Sequence, residues 1–222
     1  MGQVLRLKFK TDQVLSYALS SKSSQTASQE GKNVGEEKGG FEARLTQTVL
    51  RSLEDGTGHV VSITVPNPGP GIPDNARSVI YQHLGARGEV LEVSGPNQGN
   101  AFSFPEGAVE KGATWEGQTQ SQLPNVAQPV TMKYVYTYEG DEDMLGKACV
   151  RISFTSDPVE FQVPLPNGQG VSNVKTASDG TMWFDNNMGC LVKLELTTRT
   201  RPQVGAMSFD IENQTIQQLV GA

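Results

Sequence analysis

The side chains with the clearest potential for binding chemistry are aromatic and lie at alternate positions of one segment. Successive side chains of a β-strand point to opposite faces, so phenols at every second position share a face. A phenol combines an apolar ring with a hydroxyl, which suits a sugar or a lipid-like ligand. The same row suits a sheet core with hydroxyls at its rim, and we favour the core. The candidate ligand-facing residues are Met132, Tyr134, Tyr136, Tyr138, Trp115 and Trp183.

Residues for catalysis or metal binding form no recognisable pattern. The two histidines, His59 and His83, have no ligand partner at metal-site spacing, and the cysteines form no C-x-x-C pair. No serine-nucleophile motif is present. We therefore predict no catalytic residues, no metal site and no cofactor. An enzyme that acts on polysaccharide through two carboxylates stays an alternative, because its signature is a separation in space.

Two acidic turns contain the oxygen ligands that calcium prefers. One turn holds Asp141, Glu142 and Asp143, and the other holds Asp185 and Asn187. Calcium needs roughly six to eight converging oxygen atoms. Neither turn has the spacing of an EF-hand, so we predict solvated turn charges.

Cys149 and Cys190 permit one disulfide, but strand parity argues against it. Cys149 precedes an alternating apolar run that ends at Phe154, and it is out of phase with that run. Cys190 is in phase with the apolar run that ends at Leu196. The two thiols are thus predicted on opposite faces of one sheet and free.

Charge and hydropathy limit the classes of partner. The 222 residues carry a net charge of −6, and an acidic chain without a basic stripe is a poor candidate for binding nucleic acid. No apolar run approaches the roughly 20 residues of a spanning helix, so we expect no membrane-spanning segment. The first residues contain no apolar core of an export signal. We expect a periplasmic or extracellular protein if Met1 replaces a removed signal, and a cytoplasmic protein otherwise.

The elements that must position these side chains are β-strands. Apolar and polar residues alternate along most of the chain, and turn residues separate the runs roughly every 8–12 positions. The hairpin at residues 180–196 is the clearest case, with its turn at Asp185 to Gly189. This pattern predicts an all-β protein with about 11–12 mostly antiparallel strands. We expect one domain over residues 1–222, as a curved sheet, half-barrel or sandwich with little helix.

Four segments need separate comment. Residues 5–10 alternate apolar and cationic side chains, which predicts an edge strand. Residues 20–40 are polar and are predicted as a loop or the end of a long hairpin. Residues 66–76 are rich in Pro and Gly and are predicted as a connecting loop. Residues 74–84 fit a helix or the first strand of a hairpin, and their β-forming residues favour the hairpin.

Three segments carry local motifs that occur together in a known group of proteins: Phe104–Glu116, with a Gly-x-x-Trp pattern, Tyr138–Ile152, and Gly180–Leu194, with a Phe-Asp turn that ends in Gly. With these motifs the chain resembles an uncharacterised group of bacterial envelope proteins, many of them predicted lipoproteins. Such proteins are similar to the lipoprotein-carrier half-barrel, a long antiparallel sheet curved around an apolar face. The resemblance covers about the last half of the chain, implies this fold, and carries over no catalytic residue.

Abundant sheet with aromatic faces and no catalytic pattern predicts a non-catalytic protein. We expect an envelope-type binding or scaffolding domain, with a small apolar or lipid-like ligand. One alternative is a structural protein that self-assembles through sheet edges. The other is a polysaccharide-binding or glycoside-acting protein. Another protein chain as partner and the oligomeric state stay open.

Overall fold

The computed structural model of the chain is one antiparallel β-sheet of twelve strands. The sheet is curved and unclosed, and the part of the chain that it describes contains no helix. The prediction of an all-β protein with mostly antiparallel strands is therefore confirmed. The described residues are 2–69, 72–73, 76–95, 102–121, 126, 128–165 and 170–222.

Hairpins connect most of the strands along the chain. The strands are β1 (Val14–Gln29), β2 (Lys32–Ser52), β3 (Gly58–Pro66), β4 (Ser78–Leu84), β5 (Val90–Ser94), β6 (Thr114–Ser121), β7 (Val130–Met144), β8 (Lys147–Ser156), β9 (Val159–Pro164), β10 (Val171–Asp185), β11 (Cys190–Val204) and β12 (Met207–Gly221).

The first and last strands of the chain are neighbours at the centre of the sheet. The strand order is β5-β4-β3-β2-β1-β12-β11-β10-β8-β7-β6. One edge of β10 pairs with two different strands: residues 179–184 pair with β8, and residues 171–176 pair with β9. β5 and β6 are the end strands, and each has one edge without a paired strand among the described residues.

Two of the segments with open predictions belong to hairpins. Residues 20–40 form the distal part of the β1–β2 hairpin, which reverses at Glu30 and Gly31, both with positive φ. Residues 78–94 form the β4–β5 hairpin, so the hairpin favoured over a helix is confirmed. In the predicted loop 66–76, Pro66 ends β3, residues 67–69, 72, 73 and 76 lie outside strands, and residues 70, 71, 74 and 75 lie outside the described residues.

One face of the sheet, the inner face, carries the main hydrophobic core. Alternation puts every second side chain of a strand on this face, and the register aligns them into rows across neighbouring strands. In one such row Ile152 lies opposite Met182, which lies opposite Leu194, and all three are buried. Burying a side chain of this size stabilises the fold by roughly 1.5–3 kcal/mol. The other face, the outer face, carries ion pairs such as Arg199 with Asp179.

Two segments outside the strands pack on the inner face at one end of the sheet. We call residues 2–10 and 102–113 together the core cover. Leu5 is fully buried, and Phe104 and Val109 are buried in the same cluster. The backbone N–H of Phe104 donates to the carbonyl of Arg87 at 2.8 Å, which ties the cover to the β4–β5 turn.

The N-terminal part of the cover is held by loops and not by a strand. Apolar and cationic side chains do alternate along this segment. Its backbone partners, however, lie in three separate connections between strands, so the segment forms no continuous ladder of hydrogen bonds with one strand. The predicted edge strand at residues 5–10 is therefore wrong. The backbone bonds join Gln3 with Val109, Leu7 with Ala86 and Lys8 with Gly189, at N···O distances of 2.7 to 3.1 Å.

Truncating Leu5 to alanine is expected to destabilise the fold by about 2–5 kcal/mol, because it leaves a cavity under the core cover. Val4→Ala is the matched control, since Val4 is half exposed, and its cost is expected below about 0.5 kcal/mol. Urea unfolding followed by tryptophan fluorescence measures both. Equal costs for the two substitutions would show that the cover does not stabilise the core.

Candidate functional site

The predicted phenol row lies on the inner face of β7, but most of it is closed. Tyr136 is 0% exposed and Tyr138 is 4% exposed. Trp115 stacks on Tyr136 with ring centroids 5.5 Å apart, and its indole N–H donates to the carbonyl of Ser103 at 2.7 Å. The core cover therefore lies over this part of the row, and these aromatic rings act as core.

Burial keeps the inner phenols neutral. It raises the pKa of Tyr136 well above its ordinary value, with a further contribution from neighbouring Tyr134. The pKa of Tyr138 rises to about 12, first through burial and then through Asp141. The hydroxyl of Tyr138 donates to the carboxylate of Asp141 at 2.5 Å. A neutral, hydrogen-bonded phenol holds structure and does not act as a base at neutral pH.

Tyr134 and Met132 mark the end of the covered core. The hydroxyl of Tyr134 hydrogen-bonds with the hydroxyls of Ser178 and Thr119, and it lies 3.7 Å from the sulfur of Met132. Met132 is half-buried at the rim of the core cluster. Of the predicted row, these two residues are the ones that meet the uncovered part of the inner face.

Trp183 lies on the outer face, away from the other predicted site residues. Its ring packs with Cys149 and Val192. Lys193 and Arg151 place their cationic groups 5.1 and 5.9 Å from the ring centroid, which is cation–π geometry. Its indole N–H is buried, and no acceptor in the described part of the chain reaches it. The structure thus divides the six candidate residues between two faces.

The two cysteines are free thiols on different faces, in agreement with the parity argument. Cys149 belongs to the outer cluster around Trp183, and Cys190 belongs to the inner core. One detail differs from the expected pattern. Val192 leaves the inner face, because the pairing of β10 with β11 shifts register between Trp183 and Phe184. A bulge of this kind re-aims a side chain without changing the strand.

In each acidic turn a carboxylate accepts hydrogen bonds from other groups of the protein. The side-chain amide of Gln3 donates to Asp141 at 3.0 Å. Asp185 is buried and accepts the backbone N–H groups of Asn187 and Met188, each at 2.9 Å, so the prediction of a solvated charge is wrong for Asp185. No group of three or more His, Cys, Asp or Glu in the described ranges is placed to hold a metal ion.

The two histidines form a contact that their spacing in the sequence does not reveal. His59 lies opposite His83 across β3 and β4, with ring centroids 4.3 Å apart and nearly parallel rings. The hydroxyl of Tyr81 lies 2.5 Å from Nδ1 of His59, and Nε2 of His83 lies 2.8 Å from the hydroxyl of Thr57. Each ring is held by one hydroxyl group, that of Tyr81 for His59 and that of Thr57 for His83, as is usual for a structural histidine.

The uncovered part of the inner face carries a row of hydroxyl and amide groups that sequence reasoning missed. We call this row the hydroxyl belt. Ser178 lies opposite Thr198, and their hydroxyls are 3.0 Å apart. Each position reads as an ordinary polar residue in its own strand, so only the register between strands reveals the row. Its members are Ser156, Ser178, Thr198, Asn213 and Ser23.

Beyond the hydroxyl belt lies an apolar row, which we call the distal row. Phe161 lies opposite Val174, which lies opposite Pro202, and Phe209 continues the row on β12. Val174 is buried and the other three are half-buried. None of the four belongs to a core cluster of the described residues. The sequence pattern contains Phe161 and Phe209 as strand residues, but it gives no sign that they share a row.

Comparison with known proteins does not assign the chain to a family. No protein-family model matches the chain, and no curated protein matches it. No helix that could span a membrane occurs among the residues described. The geometry of the two faces of the sheet is therefore what indicates a function.

The buried thiols are expected to make the protein less stable at alkaline pH. Burial, followed by the nearby Asp185 carboxylate, raises the pKa of Cys149 to about 11 and that of Cys190 to about 11. Because these folded values exceed the unfolded value near 9, the stabilisation is complete below pH 9 and is lost as pH rises toward 11. At pH 10 the expected loss is about 1 kcal/mol per thiol.

Urea unfolding at pH 8 and pH 10 measures this loss. The double variant Cys149→Ala/Cys190→Ala lacks both thiols but keeps every buried phenol and every lysine, so it reports the contribution of all groups other than the thiols. An equal loss of stability in the parent and the double variant would contradict the assignment to the thiols.

Proposed function

We propose that the chain is a non-catalytic binding domain whose inner face takes a small apolar or lipid-like ligand. The distal row carries this proposal. Phe161, Pro202 and Phe209 are half-buried, and they lie outside the core clusters on the inner face of an unclosed sheet. Apolar side chains that are gathered in one place and left incompletely covered are a common mark of a binding surface.

The neighbouring hydroxyl belt favours an amphipathic ligand over a plain hydrocarbon. The hydroxyls of Thr176 and Thr200 lie 3.1 Å apart between the distal row and the belt. Residues two apart along a strand are separated by about 7 Å. A ligand with an apolar body and one polar group can therefore contact the distal row and the hydroxyls together. The resemblance of about the last half of the chain to envelope half-barrel proteins supports a location in the cell envelope.

A fluorescent apolar probe tests this proposal. N-phenyl-1-naphthylamine is expected to bind the parent protein with enhanced emission, and Phe209→Ser is expected to weaken binding about tenfold or more, because a buried ring contact is lost. Ile216→Ser is the matched control, since Ile216 lies on the same strand but on the outer face and is exposed. Equal binding by both variants, or no enhancement with the parent, would contradict the proposal.

Self-association through β6 is a second candidate, favoured by the composition of that edge. β6 is an end strand of eight residues; it contains no Lys or Pro, and its one charged residue is Glu116. Natural sheets usually protect an edge of this length with several charged residues, above all Lys, or with Pro. An edge with a single charge can add a strand of a second copy by backbone hydrogen bonds.

Light scattering after size-exclusion chromatography tests this second candidate. We expect the parent to form a dimer as concentration rises, and Gln118→Lys on β6 to restore the monomer. Gln214→Lys on the central strand β12 is the control, and it is expected to leave the dimer intact. A monomer at every concentration would exclude assembly through this edge.

A further inference from the structure

The outer face carries a groove with two polar walls, and the distal-row residues Phe161, Val174, Pro202 and Phe209 line its floor between them. We infer that this groove is a binding site for a neutral polysaccharide chain. The groove has a volume of about 680 Å³ and crosses β9, β10, β11 and β12. This volume lies within the range of ordinary ligand sites, about 300–1,000 Å³. The inference does not depend on the inner-face ligand, because the wall side chains, such as Asn173 and Lys175, point to the outer face, whereas the side chain of Val174 between them points to the inner face.

One wall of the groove is a row of amide and hydroxyl side chains. Asn173 lies opposite both Gln162 and Gln203, and Gln203 lies opposite Ser208. The register continues the row from Ser208 to Ser28 on β1. Because adjacent strands lie about 4.8 Å apart, the row spans about 14 Å from β9 to β12. A row of this length fits a chain ligand better than a single small molecule.

The wall of amide and hydroxyl side chains has donors and acceptors that the hydrogen bonds among the described residues do not use. Gln162 donates one side-chain bond to Asn173 at 2.9 Å, which leaves the amide nitrogen of Asn173 and the amide oxygen of Gln162 outside that bond. Gln203 makes no side-chain hydrogen bond within the described part of the chain. Each primary amide offers two donors and one acceptor, which matches sugar hydroxyls that both donate and accept.

The opposite wall of the groove is charged, but its charges cancel. Lys175 pairs with Glu160 at 3.0 Å, and Arg201 pairs with Asp210 at 2.5 Å. Two cations and two anions in one row present no net charge to a ligand. The chain as a whole carries −6 and repels anions. These charges favour a neutral polysaccharide over an anionic one.

Affinity electrophoresis tests the inference with the whole protein. Gels contain hydroxyethylcellulose, dextran or carboxymethylcellulose, of which the last is anionic. We expect at least one neutral polymer to retard the parent protein and carboxymethylcellulose to retard it less. Asn173→Leu and Gln203→Leu are expected to weaken retardation about fivefold or more, the effect of losing one hydrogen bond. Gln214→Leu is the control, because Gln214 is exposed on the outer face outside the groove.

Each outcome of this experiment either supports the inference or overturns it. Retardation by a neutral polymer that both groove variants lose and the control keeps supports the inference. No retardation by either neutral polymer overturns it, and so does retardation that the groove variants retain. Stronger retardation by carboxymethylcellulose than by the neutral polymers also overturns it. The urea midpoint of each variant shows whether it is folded. If one of the two groove variants does not fold, the other one tests the inference alone.

Discussion

An unclosed sheet cannot protect its core with strands alone, and the core cover meets this requirement. The end strands β5 and β6 are not paired with each other, so the inner face would be open along the whole sheet. Leu5 closes one end, and the flanking backbone bonds reach the β4–β5 turn at Ala86 and the β10–β11 turn at Gly189. Gly189 has positive φ, and a Cβ there would overlap the backbone of Lys8. The N-terminal segment and this turn are therefore adapted to each other.

The alternation of side chains gives the two faces different chemistry along the same strands. In β10, Met182 lies in the inner core, while its neighbour Trp183 lies in the outer cluster beneath two cations. The same rule separates Cys149 from Cys190 and keeps a disulfide from forming. A ligand on one face thus meets different side chains from a ligand on the other, although both faces use the same backbone.

The sequence predicts those features that depend on one strand or one hairpin. The fold class, the β4–β5 hairpin and the opposite faces of the two thiols all follow from period-2 alternation and turn residues. The core cover could not be predicted, because its partners are loops that are distant in sequence. The closed state of Tyr136 depends on that cover. The hydroxyl belt and the distal row depend on the register between strands, which alternation within each strand does not specify.

The length of the strands is an argument that the uncovered half of the sheet has a role of its own. β2 has 21 residues and β1 has 16, whereas a strand in a globular protein usually has about 5–6. Ordering each backbone residue costs roughly 1–2 kcal/mol. The distal residues 20–40 contain no member of the buried core, so core packing does not offset this cost there. Their order is maintained by strand pairing, and what that pairing preserves is two continuous faces, one with the hydroxyl belt and distal row and one with the polar groove. A chain that needed only a stable core could end its strands at the hydroxyl belt.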